Sequence, residues 1–226
     1  MMFTIGSNMI KKCSFTIMNK NLKTLFFNEK LYIRFISLFI LFFIFFNGVT
    51  IISYFLLPEG FLLEKNSILD WDTSGSTILS TIQIFLFNII SVIFIVISNY
   101  FAFPSKDKAF MPLGYWRLII LFTLNGITLG TWSFTAINTT SPDLLSRLVK
   151  TFDILHKAGL WEITGQLLIA GATARIAIIK KDGKDIYIRF LKESSLNKTE
   201  ILCIIIGLCL MLAGAFIESN AIILHK

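Results

Sequence analysis

Residues 35–57 read FISLFILFFIFFNGVTIISYFLL, from Phe35 to Leu57, without one charged side chain. A helix rising ~1.5 Å per residue needs ~20 such residues to cross a ~30 Å hydrocarbon core. The run shows no period-2 alternation and is too long for a barrel strand. Backbone groups in lipid must pair within their own segment, and a helix does so. The run is too long for a signal peptide, and Pro58, Glu59 and Gly60 follow it instead of a small-residue cleavage site, so it reads as a retained membrane helix.

Four further runs extend the pattern, at about 78–101, 116–137, 155–179 and 201–224. The fourth is the weakest, because it carries Glu162, Gln166 and Arg175. The predicted fold is an all-α membrane protein, a bundle of about five transmembrane helices with one or two short interfacial or re-entrant helices. Hydrophobic residues make up 55% of the chain and charged residues 15%, too little charge to cover a soluble domain of this size. Residues 1–34 form a basic leader, and 35–224 the membrane domain. In the leader, Met18, Leu22, Leu25 and Phe26 recur beside Lys20, Lys23 and Lys30, as in a basic interfacial helix or a leader held loosely by anionic lipid. Between helices three and four, Ser141-Pro142-Asp143 predicts a helix start, followed by an apolar face of Leu144, Leu145, Leu148, Phe152 and Leu155.

Lysine and arginine set the orientation. Lys11, Lys12, Lys20, Lys23, Lys30 and Arg34 precede the first run, whereas the next loop carries Glu59, Glu64, Asp70 and Asp72 against Lys65. Lys106, Lys108 and Arg117 mark the following loop as basic, and Lys180, Lys181, Lys184, Arg189, Lys192 and Lys198 the last one. The alternation predicts a multi-pass protein of a bacterial cell membrane, with its N-terminus cytoplasmic and its C-terminus extracytoplasmic. The net charge of +7 is then a topology signal, and no nucleic-acid partner is expected.

An ionisable group within lipid costs about 2.5–3.5 kcal/mol on insertion scales, so each needs a reason. Glu162 and Glu218 fall at similar depth in antiparallel helices, toward the outer leaflet. Asn88 and Thr131 reach comparable depth, Asn125 and Asn47 lie nearer the midplane, and His156 marks the outer mouth of helix four. Such an intramembrane polar cluster could share a proton or bind an ion. Alternatively, each glutamate bonds a neighbouring helix or reaches for the interface. Gly126 and Gly130, Gly171 within Ala170–Ala174, and Gly207 with Gly214 are candidates for close helix packing within a monomer or a homo-oligomer. Trp71, Tyr115, Trp116, Trp132 and Trp161 suit interfacial belts.

Catalytic signatures are missing. His156 and His225 do not form a zinc motif, and no phosphate loop, dinucleotide fingerprint or nucleophile elbow occurs. Cys13, Cys203 and Cys209 show no metal or redox spacing. No enzyme activity, cofactor, metal site or catalytic residue is expected.

The stretch Met111-Pro112-Leu113-Gly114-Tyr115, followed by Leu124-Asn125-Gly126-Ile127-Thr128-Leu129-Gly130-Thr131, resembles stage II sporulation protein M-like integral membrane proteins. So do His156-Lys157-Ala158-Gly159-Leu160-Trp161-Glu162-Ile163 with Ala170-Gly171-Ala172, and the closing Leu212-Ala213-Gly214-Ala215-Phe216-Ile217-Glu218. The resemblance covers roughly residues 80–220. It implies a non-enzymatic scaffold or accessory subunit, working beside membrane proteins of a sporulation and cell-wall complex or a bacteriocin-export complex in a Gram-positive cell. The alternatives are transport, maturation or self-immunity for a hydrophobic circular bacteriocin, and a proton- or ion-coupled transporter subunit using the paired glutamates.

Overall fold

The structure is a computed structural model that describes residues 25–26, 28–62, 75–104, 110–133, 143–154, 158–177, 179–182, 185–188 and 195–224. Long apolar helices dominate: α1 (Leu31–Leu56), α2 (Thr77–Asn99), α3 (Leu113–Gly130) and, last in the chain, α6 (Lys198–Leu224). Among the described residues these four are long and apolar enough to cross a membrane. Between α3 and α6 lie α4 (Leu144–Ile154) and α5 (Leu160–Thr173). Four short strands complete the fold: β1 (Phe101–Pro104), β2 (Phe110–Pro112), β3 (Ile179–Asp182) and β4 (Asp185–Ile188).

Contacts between distant residues define two ends. At one end β1 pairs antiparallel with β2 and parallel with β3, and β3 pairs with β4, giving the order β2-β1-β3-β4. The start of α1 joins this end, because Arg34 bonds Glu200 at the start of α6 at 2.8 Å. At the opposite end Gly60 N–H donates to the Thr131 carbonyl and Leu62 N–H to Ser133 Oγ. There too Ser219 Oγ donates to the Thr77 carbonyl, tying the far end of α6 to the start of α2. The helical segments α1, α2, α3, α5 and α6 therefore alternate in direction through the bundle.

The bundle is inside-out relative to a water-soluble protein. Exposed positions include Ile44, Phe55, Leu56, Ile78, Phe94 and Phe216, each more than half exposed, while Arg34, Thr50, Ser80, Asn99, Arg147 and Glu200 are buried. Apolar side chains gain nothing by avoiding lipid, whereas polar groups in hydrocarbon must find partners inside. Phe42 of α1 meets Phe122 of α3 edge-to-face at 4.9 Å, and this contact centres the main core.

The fourth apolar run departs from expectation. The expected span of 155–179 contains a helix of 14 residues, about 21 Å long, short of a ~30 Å core. Its flanks are enclosed by protein, and Ala158 and Gly159 continue the helix backward as a π-turn. Ala158 precedes it, Ala174, Ile176 and Ala177 follow it, and all four are buried. Non-helical backbone is tolerated at depth where protein, not lipid, surrounds it. The basic loops also depart from an all-α reading, since they supply the sheet strands. Two of the aromatic residues assigned to interfacial belts, Tyr115 and Trp132, are buried, whereas Trp116 and Trp161 are exposed. Trp71 and the leader up to Thr24 lie outside the described residues.

Candidate functional site

Helix α5 is built from small residues, and it is the most enclosed helix of the bundle. Gly165 and Gly207 bring the backbones of α5 and α6 into contact: a Cβ on Gly207 would stand 2.8 Å from the Gly165 carbonyl. Two turns further along α6, Gly214 leaves room for Glu162, whose Cγ would lie 2.6 Å from a Cβ there. Glu218 follows one turn beyond Gly214, within Coulombic range of the Glu162 carboxyl.

Helix α2 closes the third side. Asn99 Nδ2 donates to Thr173 Oγ1 at 2.7 Å and to the Ala170 carbonyl, while its Oδ1 accepts from Gly114 N–H. Gly114 is required here, since a Cβ would overlap the Asn99 side chain. Asn99 and Thr173 are 74 residues apart. Asn88 and Glu162 share that separation, and the Asn88 amide reaches the Glu162 carboxyl. Helices α2 and α5 thus run parallel and in register, with one polar pair three turns from the other. In the same register the α2 position corresponding to Gln166 is the apolar Val92. Glu162 Oε1 and Gln166 Oε1 are both buried without a hydrogen-bond partner. Acceptors of this kind are rare in folded proteins and mark a place where a donor or a cation can act.

The other sequence candidates are distributed elsewhere. Thr131 is buried but bonds the Ile127 carbonyl and Ser133 Oγ, in the turn beside Arg147. Asn125 is half-buried on α3, which packs on α1 and α2. Asn47 donates to the Phe43 carbonyl of its own helix at 2.7 Å. His156 lies outside the described residues. The structure therefore gathers Glu162, Glu218 and Asn88, adds Gln166, and leaves Asn125 and Thr131 apart. Of the packing glycines, Gly126 meets Val49 and the Phe46 carbonyl, and Gly130 meets Ser53 and the Thr50 carbonyl, all on α1. Gly171 differs, because its nearest neighbour, a Leu38 methyl, is at an ordinary 3.6 Å.

Two arginines are buried, Arg34 and Arg147, and the first was read from sequence only as a topology charge. Arg34 is 1% exposed and bonds Glu200, also 1% exposed. Glu200 belongs to a reciprocal cap: its N–H donates to Asn197 Oδ1 at 2.8 Å, and its Oε2 accepts from Asn197 N–H at 3.0 Å. The spacing Asn197-x-x-Glu200 was the available signal. Arg147 of α4 lies over the rings of Tyr54 and Trp132, donates to the Gly130 carbonyl at the end of α3, and pairs with Glu59 at 2.7 Å. A cation suits that helix end, where unpaired carbonyls gather partial negative charge. Trp132 adopts φ +52° to complete the turn.

A groove of about 460 Å³ opens between α2, α5 and α6 toward the sheet end, lined by residues including Val92, Val96, Tyr100, Ile169, Thr173 and Leu208. Among the described residues no three of His, Cys, Asp and Glu come together as a metal-binding group. Compared with protein-family models, curated proteins and solved structures, the chain matches none.

Proposed function

We propose that the chain is a non-enzymatic scaffold or accessory subunit of a multi-protein complex in a bacterial cell membrane, as the resemblance to stage II sporulation protein M implies. It crosses the membrane five times, α5 being the fourth crossing, with the sheet end cytoplasmic and the Arg147 end outside. The observation that carries the scaffold reading is the pair of buried arginine anchors, one at each end of the bundle. Arg34 holds α1 to α6, and Arg147 holds α4 to the ends of α1 and α3. A body tied at both ends suits a fixed platform better than a carrier whose halves must rock. Its partners are the bilayer and other membrane proteins, met through the exposed apolar faces.

Photo-crosslinking from Ile44, Phe94 and Phe216 in native membranes tests this directly. A discrete adduct with one co-purifying membrane protein supports the scaffold. An ion flux in proteoliposomes that Glu162→Gln abolishes contradicts it and favours a transporter. A second reading rests on the groove between α2, α5 and α6, whose apolar walls could seat a hydrophobic peptide, as export of or immunity to a circular bacteriocin would require.

A further inference from the structure

The layer around Glu162 holds two buried oxygens that lack donors. Glu162 Oε1 and Gln166 Oε1 are buried and unpartnered, and Gln166 is only 4% exposed. One turn apart on α5, the two side chains stand one above the other on a single face. Asn88 reaches the same carboxyl from α2, and Glu218 approaches it from α6. Leaving a buried acceptor unmade costs about 1–3 kcal/mol, and more for a charged one. A proton satisfies one oxygen, or two that share it. A hard cation satisfies several oxygens together and offsets carboxylate charge that the surroundings cannot solvate. Two carboxylates that share one proton carry a single negative charge, which a monovalent cation balances.

We infer that Glu162, Gln166 and Glu218 form a binding site for a small monovalent cation between α2, α5 and α6, with the Asn88 amide donating to the Glu162 carboxyl beside it. This goes beyond the scaffold reading, since it assigns a ligand to the interior of the bundle and requires no transport. The cation joins three helices at the level where Gly214 admits Glu162, so its binding stabilises the fold by mass action.

The test uses the purified full chain in detergent micelles, in choline buffer at fixed pH and ionic strength. Lithium, sodium or potassium chloride replaces choline chloride stepwise while thermal unfolding is followed. The expected result is a saturable rise in midpoint with at least one of the three ions. In Glu162→Gln the half-saturating concentration should increase by more than about tenfold, as lost ligand-sphere interactions do elsewhere, and Gln166→Leu should raise it too. Equal midpoints in choline and all three salts overturn the proposal. So does a midpoint that follows pH alone, which identifies a proton as the occupant. If Glu162→Gln does not fold, Gln166→Leu still decides, because a wild-type titration curve in that variant places the ion elsewhere.

Discussion

Arg34 and Glu200 are each 1% exposed, so both charges have left water completely. Breaking such a pair from one side strands a buried charge and costs about 3–5 kcal/mol, whereas replacing both partners by apolar groups of similar volume can be neutral. Glu200→Ala is therefore expected to lower the unfolding midpoint sharply, and Arg34→Met with Glu200→Leu to restore most of it. Arg147 behaves differently. Its partner Glu59 is 64% exposed, so Glu59→Ala should cost less than about 1 kcal/mol. Arg147→Ala, which also removes two ring contacts and the Gly130 carbonyl bond, should cost several times more. Comparing the two variants by denaturant titration checks this, and equal losses would put the anchor in the ion pair alone. Asp143 supplies a pH-dependent effect. The Ser146 hydroxyl and backbone N–H hold its carboxyl below the usual 3.8. A depressed folded value means that its contribution to the start of α4 is complete above about pH 4. That contribution fades as pH falls through the folded value. Amide exchange at residues 146–149 should quicken on acidification, and Asp143→Asn should remove that pH dependence.

At the scale of elements, spacing between helices is set by a few glycines. Gly207→Ala pushes a methyl into the Gly165 carbonyl and should destabilise by about 1–3 kcal/mol, as overpacking does. Gly171→Ala meets only a leucine methyl at 3.6 Å, and Gly48→Ala meets nothing within 4 Å, so both should be tolerated. Equal losses in all three would show that helix propensity, not contact, is being measured. The sequence made the long helices legible because hydropathy alone requires them. Boundaries shifted where polar residues act as structure: α1 starts at Leu31, so Arg34 lies inside it, and α6 starts at Lys198 after the Asn197 cap. The sheet was passed over because its strands are short and lie in basic loops, where lysine counts read as orientation. Ile179–Asp182 and Asp185–Ile188 are separated by two residues, one of them Gly183, and that hairpin signal was present.

For the whole molecule, the candidate site was legible in part. Two glutamates in apolar runs stand out against the cost of burial, and the antiparallel order of α5 and α6 brings them together. Asn88 could be joined to them on depth alone. Gln166 was visible only as a weakness of its helix, and Thr131 was misplaced because depth along a helix says nothing about which face a side chain occupies. The same blindness hid Arg34 and Arg147, whose value lies in partners distant in sequence. The five-crossing topology turns on α5, the one segment too short to be convincing by length. On the five-pass proposal its two flanks open to opposite sides of the membrane.

Cysteine accessibility in intact cells tests that crossing most directly, in a background with Cys13, Cys203 and Cys209 replaced by alanine. Single substitutions Asp143→Cys and Ser195→Cys place thiols at exposed positions on either side of α5. With an impermeant maleimide, Asp143→Cys should label in intact cells, and Ser195→Cys only after the membrane is broken. Labelling of both from the same side would mean that α5 does not cross, and the five-pass account would fail.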